Sequence, residues 1–387
     1  MKKHSLIFLL IILVLFSFCG PKKEEIERFF EDGVEVVVNR LEPFEIKGKL
    51  TDLTLEEIFR IDTEKDEMAE IGLTDIWRFD VDSGGNIYLL GYRFREYSIF
   101  KFDKSGNFVT SFGRRGQGPG EVQRPTFIRV SSQDEIYVLD KGNTKLVIYG
   151  KDGELISETP VDPSLVEATP LNSEKYLVKR RTIPEDEASE FLALDSLIIC
   201  GQDFEKESEL DIEKIPSISR ITRFRPMFSV FYSLADSRIF VGNSDKGYEI
   251  KTYDFHGNGL RKLRKQYQPV RVPEDLKEEL EKLLAQRGRT VSFPEFMPPF
   301  QYLFTDDLGR LFIMTYEKGE EPREYIYDMY NPEGVFFSRM RLDNYGHLAY
   351  FGGEGPLDVR AKAGRLYFIR EKNSGYKELV VCRIKWE

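Results

Sequence analysis

The 387-residue sequence predicts an all-β fold, a six-bladed β-propeller with four-stranded antiparallel blades. Three observations support this prediction: a strand-turn-strand unit that recurs six times, frequent Tyr and Phe, and a last unit that stops one strand short. Repeats of this length are typical of propellers, in which each blade buries both faces against its neighbours. An aromatic content of 13% supplies the large side chains that such faces need.

The repeated unit is clearest in one strand of each copy, an apolar or aromatic run bounded by Gly, Asp and Asn turns. These strands read "GNIYLL" (85–90), "DEIYVL" (134–139), "EKYLVK" (174–179), "SRIFVG" (237–242), "GRLFIM" (309–314) and "GRLYFI" (364–369). Their equivalent aromatic residues, spaced 39 to 72 residues apart, are Tyr88, Tyr137, Tyr176, Phe240, Phe312 and Tyr367. A partner strand follows each one, so the unit is a hairpin at the centre of a blade.

The sixth unit lacks its outer strand, because the chain stops at Glu387. An open edge would be left unpaired, so we expect "LEEIFRID" (55–62) to supply the missing strand and close the ring. The longer spacings hold insertions. A helix is predicted over about 273–287, where a leucine stripe runs between Pro273 and Gly288.

The N-terminus has the pattern of a targeting segment. Two lysines precede an apolar run over residues 6–16, which is shorter than the ~20 residues of a membrane span and suits a secretory signal. The next residues, "LFSFCG" (15–20), resemble a bacterial lipoprotein signal, in which Cys19 would be lipidated and would become the mature N-terminus. Phe16 and Phe18 depart from that pattern, and simple cleavage after Cys19 is the alternative.

These observations divide the chain into three parts. Residues 1–19 are the signal with its lipidation site, and residues 20–50 are a charge-rich tether and N-terminal extension. Residues 51–387 form the propeller. Either version of the signal predicts an extracytoplasmic protein, and lipidation of Cys19 would anchor it to a membrane in the periplasm or at the cell surface.

The stretch "GRRGQGPGEVQRP" (113–125) is rich in glycine and arginine. It is not a nucleotide-binding P-loop, because no Lys-Ser/Thr follows and a strand comes next. Together with "IYVLD" (136–140) and "LVIY" (146–149), it resembles the NHL-like six-bladed propellers of bacterial extracytoplasmic lipoproteins. The resemblance covers about residues 55–387 and implies a fold and a compartment. It implies no reaction, because that family is mostly of unknown function.

Basic residues recur in the loops that a propeller would gather on one face. We predict ligand contacts there for Arg93, Arg114, Arg115, Gln117, Arg124, Lys141, Lys179, Arg180, Arg223 and Arg370. Arginine suits bidentate recognition of carboxylate or phosphate, and a positive patch on an acidic chain can steer an anion. The alternative is that these side chains pair locally with acidic residues such as Glu121 and Asp140.

Enzyme signatures are absent from the sequence: it has no G-x-S-x-G, Walker, H-E-x-x-H or C-x-x-C motif and holds three histidines. We therefore predict no catalytic residue, no metal ligand and no cofactor. The formal charge of −10 argues against nucleic acid as a partner. Cys200 and Cys382 are expected to be buried thiols, with a disulfide as the alternative.

The preferred function is a binding module whose loop face takes a protein, a glycan or a small anion. One alternative is a lyase or hydrolase that uses the central tunnel, which bound metal or three converging carboxylates would favour. The other is a purely structural surface protein.

Overall fold

The computed structural model describes residues 26–45, 53–93, 96–185, 191–216, 229–286, 288–321, 324–343 and 359–386. It confirms the all-β prediction, with six blades of four antiparallel strands arranged in a ring. Each blade has the strand order one-two-three-four from the axis outwards, so connections alternate between the two ends of the ring. We call the end that carries the two-to-three connections and the crossovers between blades the loop face.

Blades one to three follow one another along the chain. Blade one contains β4 (Ile76–Val81), β5 (Ile87–Arg93), β6 (Glu96–Phe102) and β7 (Phe108–Phe112). Blade two contains β8 (Pro125–Val130), β9 (Ile136–Asp140), β10 (Lys145–Tyr149) and β11 (Leu155–Pro160). Blade three contains β12 (Leu165–Pro170), β13 (Tyr176–Thr182), β14 (Phe191–Cys200) and β15 (Lys206–Pro216).

Blades four to six complete the ring. Blade four contains β16 (Val230–Ala235), β17 (Arg238–Asn243), β18 (Glu249–Tyr253) and β19 (Gly259–Lys265). Blade five contains β20 (Tyr302–Thr305), β21 (Leu311–Lys318), β22 (Glu324–Tyr330) and β23 (Phe336–Asp343). Blade six contains β24 (Val359–Lys362), β25 (Arg365–Glu371), β26 (Lys377–Trp386) and, from the N-terminal side, β3 (Leu53–Asp62).

The ring closes as the sequence predicts. Strand β3 pairs antiparallel with β26 over a register that runs from Asp62 opposite Glu378 to Leu53 opposite Trp386. Ile61 on β3 is 2% exposed and packs in the core between blades six and one. The two ends of the propeller are therefore joined by main-chain pairing and by a shared core.

The second strands form the centre of each blade, as their aromatic pattern predicts. All five residues of β9 are buried, and Tyr88 and Tyr367 are completely buried. Tyr176 is the exception among the six equivalent aromatic residues, because it is half-buried. The thiols of Cys200 and Cys382 are free and buried in different blades, and burial raises the pKa of each to about 11.

Two α-helices lie among the described residues. The predicted insertion helix is α2 (Glu274–Ala285), which follows Pro273 and buries Leu280 and Leu284. A short helix, α1 (Asp66–Glu70), precedes blade one, and a single 3-10 turn spans Ser244–Lys246. Neither described helix is both long enough and apolar enough to cross a membrane.

The N-terminal extension differs from the expected tether. Strands β1 (Glu27–Glu31) and β2 (Val34–Asn39) form a hairpin, and β2 runs parallel to β19 and extends blade four to six strands. The charges that suggested a tether pair with the basic outer strand: Glu31 lies 2.6 Å from both Lys262 and Arg264. Because Val36 and Val37 on β2 are also fully buried, the segment is part of the folded domain.

Asn39 fastens this hairpin to the neighbouring blade. Its side-chain Oδ1 accepts a hydrogen bond from the Phe336 N–H at 2.7 Å, and its Nδ2 donates to the Gly334 carbonyl at 3.0 Å. Asn39 is fully buried, so both backbone groups of blade five depend on it for a partner.

We predict that Asn39→Ala lowers the free energy of unfolding by about 1–3 kcal/mol, because it leaves two buried backbone groups unpaired. Denaturant unfolding followed by circular dichroism measures the change. Asn172→Ala is the matched control, because Asn172 is exposed and accepts only from the backbone of its own turn. Equal losses in the two variants would contradict the role assigned to Asn39.

Candidate functional site

Three neighbouring blades share the same irregularity in their innermost strands. In blades one, two and three the pairing between the first and second strands shifts by one residue, which leaves Trp77, Thr126 and Val166 as bulges. The equivalent pairings in blades four, five and six show no shift. β-Bulges re-aim side chains and occur often beside functional sites, so the loop-face ends of blades one to three differ in kind from the others.

The bulges surround one cavity of about 530 Å³, which we call the bulge pocket. Its lining repeats the same positions from blade to blade. Blade one supplies Trp77 and Arg78; blade two supplies Arg124, Thr126, Phe127 and Lys141; blade three supplies Pro163, Ser164, Val166, Glu167, Arg181 and Ile183. Four of these side chains are cationic and one is a carboxylate, so the bulge pocket is positive within an acidic protein.

Lys141 lies at the centre of this charge. Its Nζ donates hydrogen bonds to the carbonyl oxygens of Pro163 and Leu165, which fixes the ammonium group at the junction of blades two and three. Burial lowers the pKa of Lys141, and the charges of Arg181 and Arg124 lower it further. Lys141 is therefore a half-buried cation close to two arginines, the kind of environment in which an anion is favoured.

The two arginines beside Lys141 are held differently. Arg181 makes a two-point ion pair with the buried Asp195, with Nε and NH2 at 2.8 and 2.7 Å from its two oxygens. Arg124 has its backbone N–H anchored at 2.7 Å on Asp140, while its side chain is exposed at the rim. Asp140 thus acts on the backbone rather than as a partner for an arginine side chain.

The floor of the bulge pocket is a buried polar network near the axis. Tyr232 donates a hydrogen bond of 2.6 Å to Glu167 Oε2, and Lys179 lies 3.0 Å from Glu213. Burial raises the pKa of Glu167, but the charges of Lys179 and Arg78 and the Tyr232 hydrogen bond outweigh it and hold the pKa below its usual range. The same causes favour the ionised form of Glu167, which lines the bulge pocket, while Tyr232 lines the smaller cavity described below.

Lys179 and Arg180 do not contact the pocket, contrary to the sequence prediction. Both lie within strand β13, where successive side chains point to opposite sides. Lys179 is buried in its ion pair with Glu213. The Arg180 guanidinium donates to the Phe204 carbonyl at 2.8 Å, in the turn at the far end of blade three.

The remaining predicted residues divide between local pairs and positions that the structure does not describe. Arg370 lies in strand β25 and bonds the buried Glu378, with Nε at 2.7 Å from Oε1, so it faces its own blade. The Arg93 side chain, Arg223 and the lipidation site Cys19 lie outside the described residues. Of the ten predicted ligand contacts, Arg124 and Lys141 are the two that line the bulge pocket.

The glycine-rich loop is a crossover organised by Glu121. This carboxylate accepts hydrogen bonds from Arg114 Nε at 2.8 Å and from the Gly118 N–H at 2.9 Å. A Cβ atom at Gly116 would lie 1.9 Å from the Glu121 carboxylate, and Gly120 has a positive φ of 66°. The glycines therefore serve the turn and its acid, as the structural interpretation of the sequence predicts.

Contacts with blade two keep this loop away from the pocket. The Gly120 N–H donates to Glu158 on the outer strand, the Gly120 carbonyl accepts from the Tyr149 hydroxyl, and Lys145 bonds both Glu158 and the Gly118 carbonyl. Arg114, Arg115 and Gln117 are exposed on this outer part of the loop face. They do not line the bulge pocket, because the crossover reaches the axis only at Arg124.

A second, smaller cavity of about 210 Å³ lies lower in the tunnel, where all six innermost strands meet. Its wall includes the ion pair between Asp80 and Arg360, 3.0 Å apart, and Asp80 also accepts the Val130 N–H. Among the residues that the structure describes, no group of three or more His, Cys, Asp or Glu side chains is placed to hold a metal ion. The Asp82 carboxylate accepts hydrogen bonds from the backbone N–H and the side-chain Nδ2 of Asn86, so it closes its own turn.

Sequence reasoning missed Trp77, Arg78, Val166 and Glu167, because it located the second and third strands of each blade but not the innermost ones. The pocket positions become recognisable when the sequences of the blades are aligned with one another. Trp77, Thr126 and Val166 occupy one position, and Tyr92, Lys141 and Arg181 occupy the equivalent position on the second strands.

We predict that Glu121→Gln speeds amide exchange at Gly118, because the variant loses the Arg114 ion pair and weakens the acceptor. Arg114 and the Gly118 N–H lower the pKa of Glu121, which is ordinarily 4.5. In the native protein the protection factor should be full above pH 4.5 and should fall as the pH drops through the lowered pKa. Hydrogen exchange by NMR checks both statements. A pH-independent protection factor, or no change in the variant, would contradict them.

Comparisons with known proteins give the fold and one family. A candidate exported protein from Bacteroides fragilis superposes with a TM-score of 0.51 at 12% identity, over 90% of this chain and 99% of that one. A DUF4221 family member from Bacteroides vulgatus gives 0.47 at 10% identity (88% and 100% covered), and a streptogramin B lyase gives 0.41 at 9% (87% and 98%).

No curated protein matches the sequence. The profile of the DUF5128 family, described as a 6-bladed beta-propeller, matches residues 79–277, just over half of the chain. The match begins within β4, spans the rest of blades one to four and includes the bulges at Thr126 and Val166. The chain belongs to the DUF5128 family of six-bladed β-propellers.

Proposed function

We propose that this protein is a membrane-tethered, extracytoplasmic binding module that takes an anionic ligand in the bulge pocket. The observation that carries the proposal is the convergence of Arg78, Arg124, Lys141 and Arg181 from three blades on one cavity. Burial, together with the charges of Arg181 and Arg124, lowers the pKa of Lys141 in the free protein. An anion placed among these cations favours their charged forms and gains charge-assisted hydrogen bonds.

The pocket has the form of a ligand site as well as its charge. Its volume of about 530 Å³ lies within the ~300–1,000 Å³ of small-molecule sites. Its walls are held by the Arg181–Asp195 pair and by the backbone anchor of Arg124 on Asp140, so little ordering is needed on binding.

We predict that the double variant Arg124→Gln/Lys141→Gln binds inorganic sulfate about tenfold more weakly or worse, since each charge-assisted hydrogen bond contributes roughly 1.5–3 kcal/mol. Isothermal titration calorimetry measures the affinity. Lys104→Gln/Lys151→Gln is the matched control, because it removes the same charge from exposed turns at the opposite end of blades one and two. Equal affinities in the two double variants would overturn the proposal.

The ammonium resonance of Lys141 gives an independent readout of the same event. Sulfate should raise the pKa of Lys141 towards 10.5, because a nearby anion favours the charged form. Sulfate binding should weaken as the pH rises through the lowered pKa that Lys141 has in the free protein. NMR of protein labelled with 15N-lysine follows that residue, with Lys151 as the internal reference. A sulfate response that is equal at both lysines would contradict binding in the pocket.

The tether rests on the N-terminal signal and Cys19. We predict that the native protein fractionates with membranes and carries a diacylglyceryl group on Cys19, and that Cys19→Ala abolishes both. Detergent partitioning and intact-protein mass spectrometry measure these properties. Native protein that is soluble and begins at Gly20 would show simple cleavage instead, and would remove the membrane part of the proposal without affecting the pocket.

A further inference from the structure

We infer that the ligand of the bulge pocket is an organic acid with an aromatic or other apolar body, a class that rests on the anion binding proposed above. The acid group lies among Lys141, Arg124 and Arg181, and the body lies against Trp77, Val166 and Ile183. The lining of the cavity combines cationic side chains with large apolar ones. A ligand that carries both an acid group and an apolar body can contact both kinds of side chain.

The apolar side consists of large side chains kept exposed. Trp77 is 38% exposed and Ile183 is 72% exposed, yet both line a cavity. An indole in this position costs free energy in the absence of a ligand, because apolar surface remains in contact with water. The bulge itself does not require tryptophan, since Thr126 and Val166 occupy the equivalent positions in blades two and three. The indole is therefore available to pack against a ligand.

The lining argues against a polyhydroxylated ligand such as an acidic glycan. Among the side chains named as lining, only Thr126 and Ser164 bear neutral hydroxyl groups, and none is an amide. The single carboxylate, Glu167, already accepts the Tyr232 hydrogen bond. A sugar would leave several hydroxyl groups without partners in such a site, and each buried unpaired group costs roughly 1–3 kcal/mol. An apolar body has no such requirement.

The test compares four probes by calorimetry: 4-phenylbutyrate, acetate, 4-phenylbutanamide and trigalacturonate. The first three separate the contributions of charge and body, and the fourth represents an acidic glycan. We expect 4-phenylbutyrate to bind about tenfold more tightly than acetate, as burial of part of a phenyl ring provides. The uncharged 4-phenylbutanamide should bind at least about tenfold more weakly than 4-phenylbutyrate. Trigalacturonate should also bind more weakly than 4-phenylbutyrate.

Variants test the apolar contribution to binding separately from the contribution of charge. Trp77→Ala should reduce 4-phenylbutyrate binding to about the affinity of acetate and leave acetate binding unchanged. Phe30→Ala is the matched control, because Phe30 is 76% exposed on the distant β1–β2 hairpin and should have no effect. Thermal unfolding of both variants distinguishes a binding loss from a folding loss, and Trp77→Phe, which keeps an aromatic ring, should restore most of the affinity.

The outcomes separate this inference from the function on which it rests. Equal affinity for acetate and 4-phenylbutyrate, an unaffected Trp77→Ala variant, or tighter binding of trigalacturonate would overturn the apolar-body assignment while anion binding stands. If Arg124→Gln/Lys141→Gln binds 4-phenylbutyrate as well as the native protein does, the anion site itself is wrong. Loss of binding in both sets of variants, with both controls unchanged, supports the two together.

Discussion

Pairing between β3 and β26 is the constraint on which the other features depend. A propeller blade is too small to bury its own core, so each sheet relies on a neighbour on either side. Strand β3 gives blade six its outer strand and brings Ile61 into the core shared with blade one. Without this pairing the ring would have a free edge and two half-exposed blades, and the inner strands would have no fixed axis to surround.

When the ring closes, the faces of the blades are buried against one another. The two ends of the ring and its axis then remain accessible to a ligand or a partner. The loop face is then divided between two kinds of structure. At blades four and five an insertion containing α2 covers the ring, with Val272, Leu280, Met297 and Tyr316 packed together. At blades one to three the inner strands bulge instead, and the surface opens into a pocket. The contrast places the candidate site on one side of a nearly symmetric ring.

The core residues of the second strands could be predicted from the sequence, because they lie in short apolar runs bounded by turn residues. Tyr88 and Tyr367 lie within unbroken apolar runs, which are typical of strands buried on both faces, so the pattern alone identifies them as core. The same reasoning failed for Lys179 and Arg180, which were assigned to the loop face as ligand contacts. Both belong to strand β13, where Lys179 is buried in an ion pair with Glu213 and Arg180 bonds the Phe204 carbonyl, while Arg181, nearer the end of the strand, reaches the pocket.

The bulges could not be predicted, because a one-residue shift in pairing is set by contacts between strands rather than by the composition of either strand. The glycine-rich loop shows the opposite case. Its glycines and prolines predict an unusual backbone conformation. In the structure this conformation surrounds the Glu121 carboxylate, which accepts the Gly118 N–H and fills the space beside Gly116. A conspicuous motif therefore marked a well-built turn, while the inconspicuous segments "IWRF", "PTFI" and "LVEA" of the inner strands formed the pocket.

The pocket holds two features that cost free energy in the absence of a ligand. Lys141 is half-buried beside two arginines, and the indole of Trp77 is partly exposed to water. Arg181 is paired with Asp195, as Lys262 and Arg264 are with Glu31 on the hairpin, whereas Lys141 bonds two backbone carbonyl groups. Because a ligand that binds only the folded state returns RT ln(1 + [L]/Kd) of stability, an anion with an apolar body would offset both costs at once.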